Sequence, residues 1–144
     1  MMEKENKNRR RKILIYLNEK EYEIFEKCKH SLMITDNQSF LLYIRTIMQT
    51  EKAQFLNFVF ENIYIVDKVI DDNRKSKKVK RNLIQYYIRD DERIFLLQIE
   101  RLINKKIRIK ANRILHASLI VKVGMYYVYI KKLNQKIEGK AEGF

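Results

Sequence analysis

Apolar and polar positions along the chain follow a period of two over one short stretch and a period near 3.6 almost everywhere else. The opening residues, MMEKENKNRRRK, show no apolar period and are expected to form a polar arm that turns basic at Arg9, Arg10, Arg11 and Lys12. Ile13-Leu14-Ile15-Tyr16-Leu17 follows. As a strand it places Ile13, Ile15 and Leu17 on one face and Lys12, Leu14 and Tyr16 on the other. It is the one convincing strand in the pattern. A lone strand must pair, and the simplest partner is its own copy in a second subunit. Asn18 then reads as an N-cap, with Glu21 completing a capping box. Tyr22, Phe25, Cys28 and Leu32 define one helical face. After a break at Asp36–Ser39, Phe40, Leu41, Tyr43, Ile44, Ile47 and Met48 return at helical spacing, with Ser39 or Thr35 as candidate N-caps.

Beyond residue 50 the spacing predicts a helix over 51–72, striped by Phe55, Val59, Ile63, Val66 and Ile70. The polar stretch Asp71–Lys78 is expected to end it. A second pattern runs over 79–104 through Leu83, Tyr87, Ile94, Leu97 and Leu102. A third covers 107–137 through Ile114, Leu119, Val123, Tyr126, Ile130 and Leu133. Val121–Tyr129 is β-prone, which leaves helix and strand both open there. No fixed-period repeat is evident.

Composition supports a mainly α fold. Three glycines and no proline leave little material for the tight turns of a sandwich, a barrel or a doubly wound sheet. With 46% hydrophobic residues in 144, the chain can bury a core. One cysteine excludes an intrachain disulfide framework and a cysteine-based zinc site. The apolar runs fall well short of the roughly 18–20 residues that span a bilayer. No apolar h-region follows the start, so a cytoplasmic protein with no membrane partner is expected.

The net charge is +13, and its distribution is uneven. Residues 1–50 carry ten basic and seven acidic groups, a net of +3, whereas residues 73–113 alone carry fourteen and four, a net of +10. The central cluster comprises Arg74, Lys75, Lys77, Lys78, Lys80 and Arg81, with Lys105, Lys106, Arg108, Lys110 and Arg113. A solvated helix surface enriched in lysine by an AT-rich genome accounts for part of it. The sparing use of acids favours a second electropositive surface that touches flanking DNA or an acidic protein. Tyr86 and Tyr87 lie between the clusters; core or interface packing is the commoner role for such aromatics, and stacking on unpaired bases the rarer one.

The order of basic arm, five-residue strand, capped helix, turn and second helix, carried by RRRKILIYLNEKEYEIFEKC and SFLLYIRTIM, resembles the ribbon-helix-helix family of DNA-binding proteins. In that family, strands from two subunits pair antiparallel and enter the major groove. The resemblance implies a homodimer, or a higher homo-oligomer, with Ile13, Ile15 and Leu17 in the dimer core. It implies that Lys12, Leu14 and Tyr16 face the bases, and that free amides near Ser39 hold a phosphate. Leu14 is apolar where a polar reader is usual, but it can pack on a thymine methyl. Tyr43-Ile44-Arg45 is similar to the Tyr-Leu/Ile-Arg of plasmid mobilisation accessory proteins, which assist a DNA-nicking relaxase.

The implied organisation is an arm over 1–11, a ribbon-helix-helix domain over 12–50, and a helical oligomerisation or partner-binding region over 51–144. The implied function is a relaxosome accessory factor that binds double-stranded DNA near an origin of transfer and positions the relaxase. The alternative is a transcriptional repressor of copy-number or transfer genes. A basic helical module for RNA or an anionic membrane surface is the reading from another class; it requires a face combining basic and exposed apolar residues. No catalytic chemistry is expected. His30 and His116 lack metal-ligand neighbours, the tyrosines lack the companions of a nicking or recombining nucleophile, Asp90-Asp91-Glu92 suits a helix start, and no cofactor-binding loop is present.

Overall fold

The computed structural model describes residues 11–79, 82–106 and 116–135. The alternation around Ile13 does form a strand, β1 (Arg11–Tyr16), but its partner is not a second copy. It pairs antiparallel with β2 (Leu83–Ile88) of the same chain, Leu14 opposite Gln85. The helix expected over 79–104 is thereby corrected to a strand followed by a helix. Leu83 and Tyr87 stand four apart and imitate a helical stripe. Leu83-Ile-Gln-Tyr-Tyr-Ile88 nevertheless also alternates, and its β-branched and aromatic residues suit a pleated ribbon. Ile84, Tyr86 and Ile88 point inward and are buried, as are Ile15 and Leu17 from β1. The side chains expected in a dimer core therefore fill the core of their own chain.

Asn18 caps α1 (Glu19–Ser31) with the full capping box: its Oδ1 accepts from the Glu21 amide at 2.7 Å, and Glu21 Oε1 accepts from the Asn18 amide at 2.9 Å. Asp36, rather than Ser39 or Thr35, caps α2 (Asn37–Thr50). The single helix expected over 51–72 is two, α3 (Lys52–Glu61) and α4 (Ile63–Val79). They part at Asn62, whose backbone leaves the helical region (φ −131°, ψ 49°) and whose Nδ2 donates to the Phe58 carbonyl at 2.8 Å. α4 then continues through the polar stretch expected to stop it. That stretch contains neither glycine nor proline, and a Lys68–Asp72 pair one turn apart supports it.

After β2 come α5 (Asp90–Lys106) and α6 (Ala117–Tyr127), and α6 runs on as a π-helical turn over Val128–Lys132. Asp90, Asp91 and Glu92 lie in the first turn of α5, where acids complement the helix dipole. Val121–Tyr129 is helical throughout. Every residue from Leu119 to Tyr129 is buried, the signature of a helix wrapped on all sides, and its β-prone composition reflects that burial. α6 packs against α2, α3, α4, α5 and β1, so one core crosses the boundary expected at residue 50. Among the described residues the fold is mainly helical around one two-stranded sheet. Among the described residues no helix is long and apolar enough to cross a membrane.

Candidate nucleic-acid interface

The face of the ribbon turned away from the helices carries three cross-strand pairs: Lys12 opposite Tyr87, Leu14 opposite Gln85, and Tyr16 opposite Leu83. Lys12, Leu14, Gln85 and Tyr87 are exposed, and Tyr16 and Leu83 are half-buried. The Tyr87 hydroxyl donates to Gln85 Oε1 at 2.7 Å and so orients the carboxamide. Gln38 of α2 closes the outer edge of β2: its Nε2 donates to the Tyr87 carbonyl at 2.6 Å, and its Oε1 accepts from the Tyr87 amide at 2.9 Å. The ribbon is thus braced at its edge by α2 while its outward side chains remain at the surface.

The two strands head two similar units. A shift of 71 positions, residue 14 onto 85, matches Leu17 with Ile88, Glu21 with Glu92, Phe25 with Leu96 and Cys28 with Ile99. Under that shift Leu14 corresponds to the residue it pairs with, so a pseudo-two-fold axis passes through the Leu14–Gln85 pair. Each unit is a strand, a helix begun by a reach-back glutamate, and a second helix. Glu92 Oε1 accepts from the Arg89 amide at 2.9 Å, as Glu21 does from Asn18.

The units are interlocked reciprocally. α2 of the first packs on β2, and α6 of the second packs on β1. Each reach-back glutamate meets a cation from the other unit's second helix: Lys122 Nζ lies 3.0 Å from Glu21 Oε1, and Arg45 Nε lies 3.0 Å from Glu92 Oε2. Burial raises the Glu21 pKa against the opposing pull of Lys122, and burial likewise lowers that of Lys122. α2 and α6 cross where Gly124 meets Ile44; a Cβ there would stand 2.6 Å from Ile44 Cγ2 and 2.9 Å from Met48 Sδ. Here the matching shift is 80 positions, residue 44 onto 124, because α5 is four residues longer than α1 and five more residues separate it from the next helix.

Of the residues expected to touch DNA, the structure gathers Lys12, Leu14 and Tyr16 on one surface. It adds Leu83, Gln85 and Tyr87, whose signal was the alternation hidden in the helical reading. Arg11 is tied to Asp90 by a 2.6 Å ion pair. Arg9 and Arg10 lie outside the described residues. The Ser39 assignment is corrected: its amide and hydroxyl both donate to Asp36 Oδ2, at 2.8 and 2.7 Å, so the amide is not free for a phosphate. Those same bonds hold the Asp36 carboxyl below the usual carboxylate range. An ionised acid at that helix start also opposes a second anion.

The second basic surface is only partly placed. Lys105 and Lys106 stand exposed on the last turn of α5, with Lys106 Nζ 4.6 Å from the centre of the Phe60 ring. Lys75, Lys77 and Lys78 fall on the final turns of α4, and their side chains lie outside the described set, as do residues Lys80, Arg81, Arg108, Lys110 and Arg113. Tyr86 is a core residue whose burial pushes its hydroxyl up to about 12, whereas Tyr87 is 43% exposed on the ribbon. The Tyr43-Ile44-Arg45 segment supplies internal packing, with Ile44 at the helix crossing and Arg45 on Glu92.

Compared with models of known protein families, with curated proteins and with solved structures, the chain matches none.

Proposed function

We propose that this chain is a sequence-specific binder of double-stranded DNA that lays the β1/β2 ribbon in a major groove. One observation carries the reading: an antiparallel two-stranded ribbon, braced by helices, presents alternate side chains outward from a chain of net charge +13. A major groove about 12 Å wide admits such a ribbon, and side chains on its outer face reach base edges. Basic residues precede each strand in the sequence, Arg9 and Arg10 before β1 and Lys80 and Arg81 before β2, and such cations suit contacts to phosphate.

The setting we infer is that of a relaxosome accessory factor with a relaxase as protein partner. That part rests on the likeness of Tyr43-Ile44-Arg45 to the Tyr-Leu/Ile-Arg of plasmid mobilisation accessory proteins. A repressor would use the same interface.

Fluorescence anisotropy with labelled duplexes across a salt series tests the DNA reading. Affinity is expected to fall linearly on a log–log plot, and replacing both Arg9 and Arg10 with Ala to flatten the slope by roughly 1.8, at about 0.9 per phosphate contact. Lys12→Ala and Tyr87→Ala should weaken binding to a selected site more than to random duplex. Absence of duplex binding at low salt, or binding indifferent to the ribbon variants, would overturn the proposal.

A further inference from the structure

The pseudo-two-fold axis has a consequence for how many chains a DNA site takes and what that site looks like. We infer that one copy of this chain builds the whole reading surface and occupies a non-palindromic duplex site as a monomer. The inference rests on the ribbon reading above and deepens it.

Three observations support it. β1 pairs along its whole length with β2, so the place that a second copy's strand takes in a two-chain ribbon is already filled from within the chain. On the opposite edge of β2, Gln38 takes up both the donor and the acceptor of Tyr87. The elements that a two-chain ribbon would take from a partner, namely a second strand, a second capped helix and a second crossing helix, are all present within the chain and fill its own core.

The surface so built is two-fold in backbone but not in chemistry. One end offers Lys12 beside Tyr87, a cation that donates to base acceptors or phosphate and a phenol whose proton goes to Gln85 and whose oxygen can accept. The other offers Tyr16 beside Leu83, an apolar pair suited to thymine methyls. At the centre, the two positions related by the axis are Leu14 and Gln85. A glutamine carboxamide can bond bidentately to adenine, whereas a leucine can only pack. A duplex whose two halves are identical cannot satisfy both ends of this ribbon. The best site is therefore asymmetric and bound in one orientation.

The test uses the full chain. A site is selected from a random duplex library, and the mass of the complex is measured by native mass spectrometry against the 17.6 kDa chain. One chain per duplex and a non-palindromic site are expected. Gln85→Leu should make the centre of the preferred site symmetric and lower affinity for the original site roughly tenfold, with the outer positions unchanged. Leu14→Gln should make the centre symmetric in the opposite sense. Both residues are exposed, and thermal melts establish that the variants fold.

Two chains per site, a palindromic preference, or a centre indifferent to both substitutions would overturn this inference and leave the ribbon reading intact. Absence of duplex binding at low salt overturns the ribbon reading and this inference with it.

Discussion

The two strand–helix–helix units share a plan but sit differently in the molecule. α6 of the second unit is buried all round, because the hairpin of α3 and α4 covers the side that the ribbon, α2 and α5 leave open. α2 of the first unit has no such cover, and Leu42, Thr46 and Gln49 on its outer face are exposed. The reciprocal ion pairs register this difference. Lys122 and Glu21 are 1% and 0% exposed, while Arg45 and Glu92 are 15% and 9% exposed. Equivalent chemistry has thus been placed in two dielectric settings, and the insertion that joins the units decides which pair is dry.

The largest expected effect breaks this comparison directly. Lys122→Met leaves the Glu21 carboxylate fully buried with its charge uncompensated and only the Asn18 amide contact remaining, and removing one partner of a buried pair costs about 3–5 kcal/mol. Arg45→Met leaves Glu92 with its Arg89 amide contact and nearer to water, so about 1–2 kcal/mol is expected. Urea unfolding of both variants measures the gap. Equal losses would show that burial is not what separates the two pairs.

A smaller effect probes the place where the units touch most closely. In an ordinary helix, Gly→Ala stabilises by roughly 1 kcal/mol. At Gly124 the added carbon meets Ile44 and Met48 at 2.6 and 2.9 Å, and the Ile44 methyl is a branch near the backbone with little room to swing. Overpacking costs typically about 1–3 kcal/mol. Gly124→Ala is therefore expected to destabilise by about 1–2 kcal/mol, and combining it with Ile44→Leu, which takes away the Cγ2 branch, should recover part of it. A single variant that raised the denaturation midpoint would mean that the helices do not cross as closely as this.

The two units also differ in how much the sequence disclosed. β1, the capping box and α1 were legible because their signals are local: five alternating apolar residues, Asn18 three before Glu21, and apolar spacing of three and four. The outward face of β1 followed from the same alternation. β2 was obscured because Leu83 and Tyr87 satisfy both periods, and choosing between them requires knowing that β1 lies alongside. The pairing partner of a strand is a long-range fact, as is the role of Lys122, a lone cation in an apolar run. The likeness of the two units is hard to read as a repeat because the matched positions mostly keep their character rather than their identity. Its shift also changes from 71 positions at the ribbon to 80 at the helix crossing, so no fixed period exists to find. The Ser39 amide is taken by Asp36, a local competitor for the same donor, and the pairing of Arg11 with Asp90 is another long-range fact, since Asp90 belongs to the other unit.

The smallest expected effects compare the left-handed residues at the entrances to the two units' elements. Met33, just beyond α1, and Asn82, just before β2, both have φ of 58°. For a residue with a Cβ this region is strained by about 1–2 kcal/mol, though asparagine visits it far more readily than methionine. Met33 is 90% exposed, so replacing its side chain forfeits almost no burial. Met33→Gly removes the strain, and the greater freedom of glycine in the unfolded chain offsets part of the gain. A net stabilisation of about 0.5–1 kcal/mol is expected. Asn82→Gly relieves less strain against the same entropic loss and should change stability by no more than a few tenths of a kcal/mol. Denaturant midpoints at unchanged m-value distinguish the two. If Met33→Gly lowers the midpoint, the chain does not leave α1 through a left-handed residue at that position.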